Sequence, residues 1–115
     1  MHVLVTGGTG FIGRSLVPHL LSQPDVSVTI MRLEAESGQP LPPPLAALRN
    51  QFDVVYADLR NFRLTVRALM EAEPDAVIHL AVAGATDPFL PVDTAVRHNV
   101  TGTTNLLRAL SLIHI

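Results

Sequence analysis

Three glycines near the start of the chain, Gly7, Gly10 and Gly13, have the spacing of a phosphate-binding loop. They follow a short apolar run, Val3 to Thr6, and lead into a segment whose apolar residues recur at helical spacing, from Phe11 to Leu21. A glycine-rich turn between a strand and a helix presents backbone N–H groups and the positive end of the helix dipole to an anion. The pattern predicts that this loop binds the pyrophosphate of a dinucleotide.

The same loop also admits a P-loop interpretation, in which the ligand is ATP or GTP with Mg²⁺. Gly8 and Gly13 have P-loop spacing, and Asp58 closes a later apolar run where a Mg²⁺-linked carboxylate is expected. However, Arg14 stands where that motif needs Lys, and a guanidinium does not replace the compact ammonium on the β- and γ-phosphates. A glycine turn with a purely structural role is the third interpretation.

Arg32 ends the second apolar run, 19 residues after Gly13. An acidic residue at this point of a dinucleotide-binding unit holds the ribose 2′-hydroxyl of NAD, whereas an Arg accommodates a 2′-phosphate. A guanidinium suits a phosphate monoester because it can donate two parallel hydrogen bonds. The nearest carboxylates, Glu34 and Glu36, lie beyond the predicted strand. We therefore expect NADP as the cofactor, with NAD as the alternative. In a third interpretation, Arg32 is a solvated residue at a strand end and indicates nothing about the cofactor.

The third and fourth apolar runs end in residues that suit the same ligand. Asp58 and Leu59 would lie beside an adenine, although Asp58 could equally be a helix cap or a turn residue. The segment from Leu80 to Gly84 supplies small side chains where a cofactor would cross the sheet edge. His79 lies within the fourth run and is interpreted as a core histidine. No ligand set has metal-binding spacing, so we predict no metal site.

These residues need a sheet to bring them together, and the apolar runs supply one. Continuous β-branched runs predict buried parallel strands at Val3–Thr6, Val26–Met31, Val54–Ala57 and Ala76–Leu80. Helical periodicity predicts helices over Phe11–Leu21, Leu64–Ala72 and Asp93 to about Leu110, with a Pro-rich loop over Leu33–Pro44 and a short helix over Leu45–Asn50. The alternation predicts an α/β, Rossmann-type doubly wound parallel sheet with strand order 3-2-1-4, truncated after the fourth strand–helix unit. Gly102, in the last helix, predicts close packing there.

Composition limits the remaining classes. The chain has 115 residues, 48% of them apolar and 16% charged, which fits one globular domain. A net charge of −2 gives no basis for a nucleic-acid or anionic-membrane partner. The sequence contains no Cys, and its eight basic residues are all Arg, so disulfides and Lys-dependent chemistry are excluded for the chain as it stands. With no signal peptide or membrane-spanning run, we expect a cytoplasmic protein.

Four segments, in order, resemble the extended short-chain dehydrogenase/reductases, the NAD-dependent epimerase/dehydratase family. They are Val-Leu-Val-Thr-Gly-Gly-Thr-Gly-Phe-Ile-Gly at 3–13, Asp-Leu at 58–59, Val-Ile-His-Leu-Ala at 77–81 and His-Asn-Val-Thr-Gly-Thr-Thr-Asn-Leu-Leu-Arg-Ala at 98–109. The resemblance implies cofactor contacts at Gly7, Gly10, Phe11, Ile12, Gly13, Asp58, Leu59, Leu80, Ala81 and Val82. It also implies that Asn99 supports the active-site geometry and proton relay. Arg32 departs from the NAD-preferring members, which carry Asp there.

The resemblance implies an enzyme acting on a nucleotide sugar or a related hydroxyl or carbonyl substrate, with a homodimeric parent protein. That chemistry uses a Ser or Thr and a Tyr-x-x-x-Lys, but this chain has a single Tyr, Tyr56, in the third predicted strand, and no Lys. We therefore expect an N-terminal, cofactor-binding portion that is inactive by itself. A non-catalytic, redox-sensing NADP-binding protein would share every motif present and stays open beside the P-loop module.

We divide the chain into a dinucleotide-binding half-domain, residues 1–109, and a short tail, residues 110–115. The tail, Leu-Ser-Leu-Ile-His-Ile, is what the transposon-end adaptor of sequencing libraries encodes when it is translated. We accordingly expect that this tail is not native sequence.

Overall fold

The computed structural model describes residues 1–85 and 87–113. Four strands alternate with helices along the chain. The strands are β1 (His2–Thr6), β2 (Ser27–Arg32), β3 (Asp53–Tyr56) and β4 (Ala76–His79). The helices are α1 (Gly13–Leu21), α2 (Pro43–Ala46), α3 (Phe62–Ala72), α4 (Val92–Val96) and α5 (Gly102–Ile113), with a π-helical segment, Arg97–Thr101, joining the last two. Two 3₁₀ turns, Glu34–Glu36 and Arg49–Gln51, flank α2.

The four strands form one parallel sheet in the order β3-β2-β1-β4, as the sequence predicts. Thr6 pairs with Met31 on one side and with His79 on the other, and Arg32 pairs with Tyr56. The carboxyl ends of all four strands therefore meet along one edge. In a doubly wound sheet this edge is where ligands bind, beside the strand from which the chain winds both ways.

Alternation along β1 divides the core between the two faces of the sheet. Leu4 packs with residues of α3 and α5, including Leu69 and Leu106. Val3 and Val5 point the other way, into a cluster with α1 and α2 that includes Val17 and Leu45. Helices thus cover both faces, which confirms the doubly wound α/β class.

The observed elements differ from the predicted ones mainly at their ends. α1 begins at Gly13 rather than Phe11, because residues 7–12 form the turn itself. The predicted loop over 33–44 contains a 3₁₀ turn at Glu34–Glu36, and the predicted short helix near residue 45 begins earlier, at Pro43, where proline suits a first helical turn. The predicted last helix is interrupted by the π-helical segment. Gly102 packs closely, as predicted, because an added Cβ would lie 3.1 Å from the Cβ of Leu59.

The predicted non-native tail begins inside a helix. Leu110 to Ile113 continue α5, and both end residues of that range pack against the core. His114 and Ile115, the rest of the predicted tail, lie outside the described residues. Over residues 1–85 and 87–113, the longest apolar helix falls short of the length needed to cross a membrane.

Candidate functional site

A cleft of about 740 Å³ lies along the carboxyl edge of the sheet, above β1, β2 and β4. We call it the C-edge cleft. Ten of the eleven residues predicted to bind cofactor line it, and so does the predicted supporting residue, Asn99. The ten are Gly7, Gly10, Phe11, Ile12, Gly13, Arg32, Leu59, Leu80, Ala81 and Val82. Residues chosen from four separate stretches of sequence therefore share one cavity; that they bind a cofactor remains a prediction.

The glycine loop closes the cleft at the end of β1, and each of its glycines has a different structural role. Gly7 has φ +70°, and an added Cβ would lie 2.6 Å from the backbone nitrogen of Ala81. A Cβ on Gly13 would lie 2.5 Å from the carbonyl oxygen of Gly7, so this glycine lets α1 pack directly on the turn. Around Gly10, by contrast, a Cβ would come within 4 Å of just one atom of the described residues, the Gly7 carbonyl oxygen, at 3.3 Å. The loop thus has a tight turn, a close packing contact and an open face toward the cleft.

Arg14 supports the loop instead of facing a ligand. Its Nε donates to the carbonyl oxygen of Gly10 at 3.2 Å, and its Nη2 donates to that of Thr9 at 3.3 Å. The side chain does not line the C-edge cleft. In a P-loop the equivalent cation reaches the phosphates, so this geometry favours the dinucleotide interpretation over the P-loop interpretation.

Asn99 fixes the segment that follows β4. Its Nδ2 donates to the carbonyl oxygen of Ala83 at 2.9 Å, while its Oδ1 accepts from the N–H of the same residue at 2.8 Å. Asn99 lies in the π-helical segment, and such bulges are frequent at functional sites. The double hydrogen bond holds Ala83, at the end of the segment from Leu80, against the π-helical segment and thereby shapes this wall of the cleft.

A chain of hydrogen bonds that passes through His79 lies beneath the same wall. Thr6 Oγ1 accepts from the N–H of Ala81 at 3.2 Å and lies 2.5 Å from His79 Nδ1. On the other side of the ring, His79 Nε2 lies 2.9 Å from Thr103 Oγ1. Burial lowers the pKa of His79 below its ordinary value, since a charged imidazole is poorly solvated there. His79 is therefore a half-buried, hydrogen-bonded residue, in agreement with the prediction of a core histidine.

Arg32 reaches the cleft from the end of β2, and its guanidinium is nearly buried, with a side-chain exposure of 7%. Its Nη2 is 3.5 Å from the carbonyl oxygen of Gln39, and its Nε is 3.8 Å from Glu36 Oε2. Among the described residues, the buried Nε has no hydrogen-bond partner. Because so little of it is exposed, this side chain is not the solvated arginine of the alternative interpretation. A buried cationic donor needs acceptors, so the donor positions left free by the described residues indicate a ligand.

Asp58 is the predicted cofactor residue that does not line the cleft. It accepts from Arg60 instead, with Arg60 Nη2 2.5 Å from Asp58 Oδ2 and the Arg60 backbone N–H 3.0 Å from Oδ1. These hydrogen bonds to the Arg60 side chain, aided by its charge, hold the pKa of the Asp58 carboxyl below its usual value. In this geometry Asp58 is a turn residue, and its contact with an adenine stays a prediction.

Leu59, next in sequence, does face the cleft, and α5 holds it there. Its carbonyl oxygen accepts from Asn105 Nδ2 at 2.8 Å, and Gly102 packs against its side chain. Sequence reasoning missed other lining residues, most of which come one or two positions after a strand or next to a predicted residue. They are Thr6, Thr9, Met31, Leu33, Glu36, Ala57, Ala85 and His98; Ala83 and Gly84, which also line the cleft, belong to the small-residue segment Leu80–Gly84 that the sequence indicated. Glu36 is the charged member of this set that no sequence pattern indicated.

Known proteins resemble this chain over nearly its whole length. The chain is 34% identical over 113 residues to the UDP-glucose 4-epimerase of Mycoplasma pneumoniae, with 94% of this chain and 31% of that protein covered. It is 30% identical over 110 residues to dTDP-glucose 4,6-dehydratase 1 of Escherichia coli K12, with 95% and 30% covered. The crystal structure of the Bordetella bronchiseptica enzyme WbmG in complex with NAD and UDP superposes with a TM-score of 0.75 at 27% identity, covering 98% of this chain and 34% of that one.

The chain spans about a third of the length of these relatives. The matched third contains the glycine loop, Arg32, the β4 segment and Asn99. The model of the NAD dependent epimerase/dehydratase family matches residues 3–115, nearly the whole sequence. This chain therefore belongs to the NAD-dependent epimerase/dehydratase family, of which it holds the Rossmann-type part.

Proposed function

We propose that this chain is the dinucleotide-binding portion of an NAD(P)-dependent epimerase, dehydratase or reductase. The observation that carries the proposal is the C-edge cleft, in which Gly7 and Gly13 leave no room for a side chain and the loop presents its open face at Gly10 to the cavity. Backbone can approach a pyrophosphate closely only where no Cβ intervenes. The N-terminus of α1 adds the positive end of a helix dipole at the same place.

The residues of the cleft fit the three parts of a dinucleotide. The loop from Gly7 to Gly13 would hold the pyrophosphate, and Arg32 and Leu59 would hold the adenosine end. The wall formed by Leu80 to Val82 and fixed by Asn99 would hold the nicotinamide end. When bound, the nicotinamide supplies a hydride acceptor or donor; the part of this chain is to bind it, orient it and keep water from one face.

For the whole protein, we propose a nucleotide sugar as the substrate, on the strength of the relatives named above. This chain by itself should not catalyse the reaction. A family member of this kind needs a Tyr and a Lys acting together on a substrate hydroxyl, and the sequence has no Lys. Both the catalytic pair and the substrate contacts would have to come from a part of the whole protein other than these 115 residues.

Within the cofactor class, we propose a preference for NADP over NAD. The WbmG structure is recorded with NAD, so the family precedent favours NAD, and the preference rests on Arg32 alone. Its nearly buried guanidinium lies at the end of β2, and its Nε makes no hydrogen bond to any residue that the structure describes, so a 2′-phosphate would supply an acceptor there. An Asp at this position would repel that phosphate.

We also propose that the whole protein is a homodimer. Val92, Val96 and Val100 are exposed and recur every four residues, and Leu107 is exposed further along the same helical run. Exposed apolar rows of this kind are usually covered, and a second copy is the commonest partner in a symmetric oligomer. Analytical ultracentrifugation of the complete protein and of its Val96→Glu variant measures the mass of the species in solution and so tests whether the protein is a homodimer.

The experiment that separates the ligand classes is a binding titration of the 115-residue chain with NADPH, NADH and ATP with Mg²⁺. Quenching or enhancement of nicotinamide fluorescence reports the first two, and calorimetry reports all three. We expect both dinucleotides to bind more tightly than ATP with Mg²⁺. Tighter binding of ATP with Mg²⁺ would overturn the proposal in favour of the P-loop module.

A further inference from the structure

The arginine at the end of β2 shares its corner of the cleft with a carboxylate. Glu36 ends the 3₁₀ turn that follows β2, lines the C-edge cleft and keeps about a third of its side-chain surface exposed. Its Oε2 lies 3.8 Å from Arg32 Nε, close enough for Coulombic attraction but too far for a hydrogen bond. The two side chains thus form a loose pair with an opening to the cleft.

The pair leaves both of its members short of partners. A guanidinium has five N–H donors, and the contacts of Arg32 within the described residues are the 3.5 Å contact with Gln39 and the 3.8 Å contact with Glu36. No acceptor in residues 1–85 and 87–113 lies at hydrogen-bond distance from the buried Nε. Glu36, an acceptor only, has no hydrogen bond to a side chain among those described, although its carboxylate could accept several. A ligand carrying both acceptors and hydroxyl donors would complete them.

We infer that Glu36 is a specificity-determining residue, which opposes Arg32 in the choice between a phosphorylated and an unphosphorylated adenosine ribose. This inference rests on the proposed dinucleotide function. A 2′-phosphate would take the place of Glu36 beside Arg32 and would meet repulsion from the displaced carboxylate. A free 2′-hydroxyl would instead donate to that carboxylate and leave the ion pair in place. The chain therefore accepts both cofactor forms, with only a modest preference for the phosphorylated one.

Charge and burial separate this role from that of an ordinary surface ion pair. An exposed ion pair between residues four apart in sequence contributes little to stability, because solvent and salt screen both charges. Here the arginine is almost fully buried, so a charge beside it is poorly screened by solvent. Glu34 provides the contrast: it lies on the same 3₁₀ turn but is exposed and does not line the cleft.

The test compares Glu36→Gln with Glu34→Gln in the 115-residue chain, because the two substitutions remove the same charge from the same turn. Calorimetric titrations use adenosine 2′,5′-bisphosphate and 5′-AMP, followed by NADPH and NADH. We expect Glu36→Gln to tighten binding of the 2′-phosphorylated ligands by about fivefold or more, because a like charge beside the phosphate is removed. Binding of the ligands without a 2′-phosphate should weaken, because their 2′-hydroxyl loses the carboxylate that accepts from it. Glu34→Gln should leave both ratios within about twofold, since an exposed charge is screened by salt.

Arg32→Gln completes the comparison. In that background we expect Glu36→Gln to lose most of its effect on the 2′-phosphorylated ligands, because the two side chains act as a pair. If the wild-type chain binds the dinucleotides but Glu36→Gln and Glu34→Gln change the affinity ratio equally, the role of Glu36 is overturned and the proposed function is not. If folded wild-type chain, checked by circular dichroism, bound none of the four ligands, the proposed function would fail and this inference with it.

Discussion

His79 Nε2 lies 2.9 Å from Thr103 Oγ1 and so ties the last residue of β4 to α5. The neighbouring hydrogen bonds determine the direction of this one. The single hydroxyl proton of Thr103 is donated to the carbonyl oxygen of Asn99 at 2.6 Å, so its oxygen must accept from the imidazole. On the other side, Thr6 Oγ1 already accepts from Ala81 and donates its proton to His79 Nδ1. A neutral ring protonated at Nε2 satisfies every group.

We therefore predict that His79 is the Nε2–H tautomer in the folded chain. Long-range ¹H–¹⁵N NMR correlations distinguish the two ring nitrogens directly. Thr103→Val, which removes the acceptor, should shift the Nε2 resonance more than the Nδ1 resonance. Observation of the Nδ1–H tautomer would contradict this hydrogen-bond direction.

Protonation of His79 should destabilise the fold. Burial lowers its pKa in the folded chain below the ordinary value of 6.5, so the unfolded chain binds the proton more readily. The free energy of unfolding should consequently fall as the pH drops below about 6.5. Urea unfolding at a series of pH values checks this. His79→Gln should flatten the curve between pH 6.5 and the lower folded pKa, whereas the decline from Asp58, below its ordinary value of 3.8, should persist.

Arg32→Asp should reverse the cofactor preference. The substitution removes the cation expected to bind a 2′-phosphate and introduces a carboxylate that can accept from a 2′-hydroxyl. A charge-assisted hydrogen bond contributes about 1.5–3 kcal/mol, so the NADPH-to-NADH affinity ratio should fall by roughly tenfold to a hundredfold. Arg63→Asp, on the exposed side of α3, makes the same change in net charge away from the cleft and should leave the ratio unchanged. An unaltered ratio in Arg32→Asp would show that Arg32 does not read the phosphate.

Asn99→Leu should weaken both the fold and cofactor binding. The substitution leaves the N–H and carbonyl of Ala83 without the side chain that satisfies them, which costs about 1–3 kcal/mol of unfolding free energy. Asn61→Ala is the matched control, since it removes the cap on Leu64 at the start of α3, outside the cleft, at a cost of about 1 kcal/mol. In titrations under fully folding conditions, only Asn99→Leu should lower NADH affinity. Equal affinities in the two variants would confine Asn99 to a structural role.

The sequence predicted the sheet and most of the cleft because both depend on short-range patterns. Buried parallel strands appear as continuous apolar runs, and their carboxyl ends must share an edge. Gly7, Arg32 and Ala81 each follow such a run or end it, so their convergence needed no knowledge of side-chain packing. A pattern of residue types can therefore predict which residues lie at the carboxyl edge of the sheet.

Other features depend on contacts that no local pattern encodes. The π-helical segment coincides with the double hydrogen bond between Asn99 and Ala83, residues 16 apart in sequence. Asp58 is the contrary case, since its carboxylate accepts from the backbone N–H of Arg60 two residues later, which is the turn role that the sequence had left open. Glu36 lies beyond the predicted strand and enters the cleft only because a 3₁₀ turn folds the chain back toward Arg32. Only the contact between Asn99 and Ala83 is tertiary; the 3₁₀ turn that brings Glu36 to Arg32 is local, but no pattern of residue types indicated it.

The most direct test of the account is the NADH affinity of Gly10→Ala beside that of Gly38→Ala, both measured by calorimetry on folded protein. Counting the residues that the structure describes, an added Cβ at Gly10, which lines the cleft, meets the Gly7 carbonyl oxygen alone, and one at Gly38 meets no atom within 4 Å. Both variants should fold with stabilities close to wild type. We predict that Gly10→Ala lowers NADH affinity by about tenfold or more, because the methyl group occupies the approach to the pyrophosphate, and that Gly38→Ala leaves it unchanged. Wild-type affinity in folded Gly10→Ala would contradict the assignment of the glycine loop as the dinucleotide cradle.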